Sequence, residues 1–341
     1  MTRFRVAIDS DFRKPDGTPA YPDFDLSPLT ADPAIDLDHV DLGSEAPPAV
    51  AEQYDALILL GRRFGRASAV ASRLALVARF GVGYDTVDVD ACTGAGIALT
   101  ITPSGVRRPV AVAILTLMLA LAGRLMAKDR LTRQGPAGYA QRSAHMGVGL
   151  VGRTLASIGI GNIGAEMFRL ARPLDMRFIA CDPFADPRLA AELGVTLVDL
   201  PTLFREGDVV TVNCPLTPQT RHLVDARHLA LMKPDAFLIN TARGPIVDQA
   251  ALVAVLQARG IAGAGLDVQE QEPPDPADPL LALDNVILAP HALCWTDQCF
   301  AGIGASAVRS VLDVAHGRVP EGLVNRAVLD HPRWRGRAAR A

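Results

Sequence analysis

Apolar, β-rich runs recur about every twenty to twenty-five residues along the chain, at 4–8, 56–60, 74–80, 97–101, 155–160, 177–181, 209–213, 236–240, 261–267 and 286–289. Most are apolar at consecutive rather than alternating positions, the pattern of parallel strands covered by helices on both faces. Between them lie stretches rich in Ala, Leu and Arg with helical spacing. This alternation predicts an α/β architecture with right-handed crossovers.

Ten strands divide more readily into two sheets than they merge into one, and the break is expected near Pro103. There Thr102-Pro103-Ser104-Gly105 stops a strand, and Pro109 falls where a first helical turn tolerates proline. Fifty residues follow His291, too few for an independent domain, so this tail is expected to dock on something earlier. Within it Phe300, Ile303, Ala307, Val311 and Val314 form the stripe of an amphipathic helix, stopped by His316, Gly317 and Pro320. The predicted division is therefore one discontinuous domain, residues 1–103 with 294–341, around a second at 104–293. Residues 11–48, rich in Pro and Asp with little periodicity, read as an irregular surface loop system.

Composition narrows the function classes. In 341 residues, 49% are hydrophobic and 21% charged, as in a globular protein. With 34 basic and 37 acidic residues there is no broad cationic field, which argues against nucleic-acid or membrane-surface partners. The longest apolar run, residues 110–122, is shorter than the ~20 residues needed to cross a bilayer and reads as a buried helix. The first residues lack the apolar core of a secretory signal. Five cysteines without a CxxC suggest neither a disulfide framework nor a metal cluster. The expected compartment is the reducing cytoplasm.

The strongest chemical signal follows the fifth run. Gly159-Ile-Gly161-Asn162-Ile163-Gly164 is a GxGxxG loop between a strand and a helical pattern. There glycines permit a tight turn and close approach to a pyrophosphate, and the helix start offers free N–H groups. The next strand ends at Asp182, eighteen residues beyond Gly164. A carboxylate there takes both ribose hydroxyls and repels a 2'-phosphate, which favours NAD over NADP. The alternative for Asp182 is a turn opener before Pro183.

Three later clusters each follow a predicted strand: Asn240-Thr241-Ala-Arg243-Gly, then Asp267-Val-Gln-Glu-Gln-Glu272-Pro, then Pro290-His291. Reducing a 2-keto acid requires a hydride at C2, a proton for the developing alkoxide and a clamp for the carboxylate. An arginine fork suits a carboxylate, an imidazole changes charge near neutrality, and an adjacent glutamate favours the imidazolium. In this order and spacing, from about residue 79 to 325, the segments resemble the D-isomer-specific 2-hydroxyacid dehydrogenases. The resemblance implies two doubly wound parallel-sheet domains, a Rossmann NAD-binding domain and a flavodoxin-like substrate domain.

The resemblance also assigns roles. Arg243 would hold the substrate carboxylate and keto oxygen, and Glu272 would support His291 as acid and base. Val82 and Gly83 would offer backbone N–H groups to the carboxylate, and Asp267 would anchor the nicotinamide carboxamide. Cys214, Pro215, Thr220 and Thr241 would flank the cofactor, Cys214 as a small packing residue. A homodimer is implied. His39, His145, His222, His228, His316 and His331 match no such pattern and read as structural or solvent-facing.

The chain also departs from the family. Related enzymes often carry Asn at Val106 and a Glu-His pair at Val112 and Ala113. Arg107 and Arg108 are expected either to meet an anionic group on substrate or cofactor, or to form a solvated pair or an interdomain salt bridge. Trp295 either lines the substrate pocket or packs at a domain junction. Cys294 and Cys299 are close enough in sequence to touch, but no functional disulfide is expected. Two rival functions remain: an NADH-sensing, non-catalytic interaction protein of the corepressor kind, and a dehydrogenase of a phosphorylated hydroxy acid.

Overall fold

A computed structural model describes residues 3–70, 73–335 and 338–339. The chain divides into two compact units, Met1–Val106 with Trp295–Ala341, and Arg107–Cys294.

The first unit is built on five parallel strands, β1 (Phe4–Asp9), β2 (Ile35–Val40), β3 (Ala56–Leu59), β4 (Leu76–Arg79) and β5 (Ala98–Thr100), in the order β2-β1-β3-β4-β5. That is a flavodoxin-like doubly wound order. Its core gathers Leu57, Leu59, Val77, Ile97 and Leu99 with Phe64 and Leu74. Strand β2 lies inside the stretch expected to be irregular. It is an edge strand whose alternate aspartates face outward, Asp36 to Arg3 at 2.5 Å and Asp38 to Arg5 at 3.1 Å. Its acidic alternation resembles a loop in composition while obeying the period of a half-exposed strand.

The second unit carries seven parallel strands: β6 (Thr154–Ile158), β7 (Arg177–Cys181), β8 (Val195–Leu197), β9 (Val209–Val212), β10 (Phe237–Asn240), β11 (Gly263–Leu266) and β12 (Val286–Leu288). Their order is β12-β11-β10-β9-β6-β7-β8, the Rossmann order with its reversal between β6 and β9. Strand β8 is a further edge strand beyond the expected set, short and half exposed. Alternation of side chains assigns Leu155, Phe178, Val209, Phe237 and Ile239 to one apolar cluster. Their neighbours Ala156, Ile179, Val210 and Leu238 join another. Both faces of the sheet are therefore covered, which is why these strands read as continuous apolar runs. A minor pair, β13 (Arg318–Val319) with β14 (Ala338–Ala339), completes the strands described.

Helix α1 spans Pro103–Ala122 and corrects two expectations. Pro103, not Pro109, opens it, and Pro109 lies in its interior, where it forgoes one backbone hydrogen bond. At 20 residues it is also longer than the apolar run, and by length and composition alone it would suffice to cross a membrane. Half of its apolar window is buried in the protein, with Ala111, Ile114, Leu117, Met118 and Leu121 in the core of the second unit. Helix α2, Asn162–Ala171, follows the glycine loop. Helix α3, Asp297–Ala315, buries the predicted stripe Phe300, Ile303, Ala307, Val311 and Val314 in the first unit and is capped by Thr296. It ends at His316 and Gly317, the latter at φ 74°.

Candidate active site

The glycine loop joins β6 to α2 at the reversal of the sheet, where the carboxyl ends of the strands open a crevice. Gly159 has φ 97°, and a Cβ there would stand 2.8 Å from the Asn213 carbonyl oxygen. Only glycine allows that turn. Gly161, the N-cap of α2, supplies no side chain, and a Cβ there would meet nothing within 4 Å. The first amides of α2 thus have no side-chain cap, and the glycine before them leaves open space, a cradle for an anion. Asp182 follows β7 directly. Its Oδ2 accepts from Ile160 N at 3.0 Å and its Oδ1 from Phe184 N at 2.9 Å. The carboxylate is therefore beside the loop, and the turn reading is also realised.

Cys214 follows β9. Burial pushes its thiol up to about 11, which makes it a packing group rather than a thiolate. Thr220 Oγ1 bonds the Pro215 carbonyl at 2.7 Å and accepts from Thr217 N at 2.7 Å, fixing the turn between them. Thr241 Oγ1 is buried with no partner among the described residues. An orphaned buried hydroxyl, an uncapped helix start and an open glycine cradle fit a dinucleotide.

Three loops beyond β10, β11 and β12 carry Arg243, Glu272 and His291. Asn240 shapes the first: its Oδ1 accepts from Ala242 N at 3.0 Å and its Nδ2 donates to the Arg243 carbonyl at 2.9 Å. Gly244 comes so close to the second loop that a Cβ would stand 1.8 Å from the Gln269 carbonyl oxygen. Glu272 Oε1 accepts from Gln269 N at 3.0 Å, and its Oε2 lies 2.8 Å from His291 Nδ1. His291 adopts a left-handed backbone, φ 55°, held by its own N–H to the Asp267 carbonyl at 2.7 Å. Burial pushes the Glu272 carboxyl up, but the His291 bond and charge, the Gln269 amide and the Arg243 guanidinium together bring it below the usual range. Glu272 and His291 are thus paired, with Arg243 acting electrostatically on the same carboxylate.

The family model for the NAD binding domain of D-isomer specific 2-hydroxyacid dehydrogenases matches residues 115–292. The chain belongs to that family. It is 40% identical over 260 residues, 76% of this chain and 78% of the relative, to a glyoxylate reductase of Korarchaeum cryptofilum. It is 35% identical to a D-3-phosphoglycerate dehydrogenase of Archaeoglobus fulgidus over 80% of this chain but only 52% of that protein. Among solved structures, a glyoxylate reductase from Paecilomyes thermophila aligns with TM-score 0.80 at 25% identity, over 95% of this chain and 99% of that one. This dehydrogenase is an NAD-dependent oxidoreductase, and the family's chemistry is the reduction of 2-keto acids.

The other residues that the sequence singled out in this dehydrogenase stand as follows. Asp267 is buried and accepts from Ala292 N at 3.0 Å and Leu293 N at 3.1 Å. It therefore braces the histidine loop, a duty not read from the sequence. In the first unit, Val82 and Gly83 follow β4, and among the described residues neither amide is paired. Trp295 meets Tyr21 and Phe300 edge-on at 5.6 and 5.4 Å and stays half exposed, so the packing reading is realised on one side of the ring. Arg107 and Arg108 lie in the second turn of α1 rather than at its start. Both pair with Glu166 of α2, at 3.8 and 2.5 Å, which replaces the expected solvated pair. Glu166 was missed, although a carboxylate between Ala165 and Met167, both core residues, is itself a signal. His222 bonds Glu270 at 2.7 Å and so ties the loop after β9 to the loop carrying Glu272. All five cysteines are free, and among the described residues no His/Cys/Asp/Glu group suited to a metal occurs.

Proposed function

We propose that the protein interconverts a small 2-keto acid and its D-2-hydroxy acid, with Arg243 as clamp and His291 as proton donor and acceptor. The observation that carries this reading is the 2.8 Å Glu272–His291 pair, with the charge of Arg243 acting on the same carboxylate. The bound nicotinamide supplies the hydride that no side chain offers. Arg243 orients the substrate's carboxylate and polarises its keto oxygen through a charge-assisted fork. His291 gives its proton to the oxygen as alkoxide character develops. Glu272 holds Nδ1 of the ring and thereby leaves Nε2 to carry the transferred proton. Val82 and Gly83 are assigned carboxylate contacts, Trp295 the substrate side chain, and Asp182 the ribose hydroxyls. Asp267, Thr241, Cys214, Pro215 and Thr220 are assigned the flanks of the cofactor.

Reduction consumes a proton and oxidation releases one, so the optimum of oxidation is expected at higher pH. The test is NADH oxidation by the purified protein against glyoxylate, hydroxypyruvate, bulkier keto acids, sugar-derived acids and a phosphorylated hydroxy acid. Turnover of a small keto acid supports the reading. NADH binding with negligible turnover of any of them would instead indicate a sensor. A homodimer and a cytoplasmic home belong to the same reading. The first is supported by the exposed Val112 and Leu119 on α1 and by exposed Leu125, Met126, Tyr139 and Met146 after it. The second is supported by the free thiols.

A further inference from the structure

We propose that Arg107 meets the diphosphate of the bound dinucleotide, and that Glu166 with Arg108 and Arg169 is the frame that aims it there. The inference rests on the dinucleotide site and is independent of which keto acid is reduced.

The glycine loop alone leaves a charge deficit. A diphosphate brings two negative charges, whereas the start of α2 offers backbone dipoles equivalent to about half a positive charge. Asp182 adds a further negative charge beside the loop. Nothing among Gly159, Gly161, Asn162, Ile163 and Gly164 carries a full positive charge.

Helix α2 supplies the connection. Asn162, its first residue, and Glu166 are four apart and share one face of the helix, about 6 Å apart along its axis. Glu166 is buried, 6% exposed, yet three guanidinium groups converge on it. Arg108 bonds Oε1 at 2.5 Å, Arg169 lies 3.7 Å and Arg107 3.8 Å from Oε2. Glu192 shares Arg169 at 3.6 Å. Three cations facing two carboxylates, gathered on the helix that follows the anion cradle, leave positive charge over. That arrangement is costly when empty and complementary when a dianion is present.

Of the three, Arg107 is best placed to carry the surplus. Arg108 is committed to a short bond and Arg169 is shared between two glutamates. Arg107 has the longest contact, and its side chain is half exposed. Because Arg107 faces Glu166 on the helix that follows the glycine loop, the cofactor rather than the keto acid is its partner. Of the two anionic partners that the sequence left open for Arg107, substrate and cofactor, this selects the cofactor.

The test measures binding directly. Titrations of ADP, adenosine and NADH would be compared for the unaltered protein and for R107Q, R107K and E166Q, with melting temperature recorded for each. R107Q is expected to weaken ADP and NADH about tenfold and adenosine by less than twofold, with the loss shrinking as salt rises. R107K, which keeps the charge without the fork, is expected to fall between. E166Q is expected to weaken ADP less than R107Q does. The KM of the keto acid at saturating NADH should not move. ADP affinity within twofold of the unaltered protein in R107Q would overturn the proposal, as would an equal loss for adenosine, which marks a structural defect. A raised keto-acid KM with ADP binding intact would place Arg107 on the substrate and overturn the proposal.

Discussion

His291 Nδ1 and Glu272 Oε2 stand 2.8 Å apart on two loops nineteen residues distant in sequence, with His291 in a left-handed conformation that few non-glycine residues adopt. The Asp267 carbonyl holds the His291 N–H, and the Asp267 carboxylate holds the next two amides. Such a conformation costs of order 1–3 kcal/mol and persists only where neighbours impose it.

Replacing His291 with Gln should lower turnover by about 100-fold to 10,000-fold. NADH affinity, followed by fluorescence titration, should stay within a few-fold. Preserved turnover would reject the acid/base assignment.

Glu272 has a lowered folded-state pKa, so its contribution to stability is present above the unfolded carboxyl pKa and is lost as pH falls through the folded one. Melting temperatures recorded from neutral pH down to pH 3 should therefore fall more steeply in the unaltered protein than in E272Q. Parallel curves would show that the pair does not stabilise the fold.

Changing Arg243 to Gln should raise the KM for a 2-keto acid by about 100-fold or more while NADH binding changes little, because one charged fork is removed from the substrate. An unchanged KM with a large loss of NADH affinity would place Arg243 on the cofactor instead.

Asp182 to Ala should weaken NADH about tenfold and narrow the preference of NADH over NADPH, since a carboxylate repels a 2'-phosphate. The ratio of kcat/KM for the two cofactors is the measurement. A ratio that does not move would leave Asp182 as the turn opener alone.

Gly244 to Ala sets a methyl group against the Gln269 carbonyl. It should cost about 1–3 kcal/mol of stability and lower kcat/KM at least tenfold, because it separates the Arg243 loop from the Glu272 loop. Denaturant melts and steady-state rates would show both effects together.

Strands buried on both faces, such as β9 and β10, were legible as apolar runs, and the glycine loop, Glu272 and His291 were legible as spaced motifs. Edge strands were not. In β2 the outward aspartates find Arg5 on the neighbouring strand and Arg3 just before it, an arrangement that local composition conceals. The start of α1 was misplaced because Pro109 satisfies the same first-turn rule as Pro103, and tertiary packing decides between them. The partners of Arg107 and the bracing duty of Asp267 were invisible, since each depends on contacts between residues remote in sequence.

The first unit is made of two segments that lie on either side of the second in sequence. Its sheet, β1 to β5, leaves the ribosome before the second unit, but α3, which packs on β4, is synthesised after it. The inner Rossmann unit has all its strands by Leu288 and can close while one flank of the earlier sheet still lacks its covering helix. Nascent chains stalled before Trp295 should therefore shelter the glycine loop from protease while β4 remains open to chaperones.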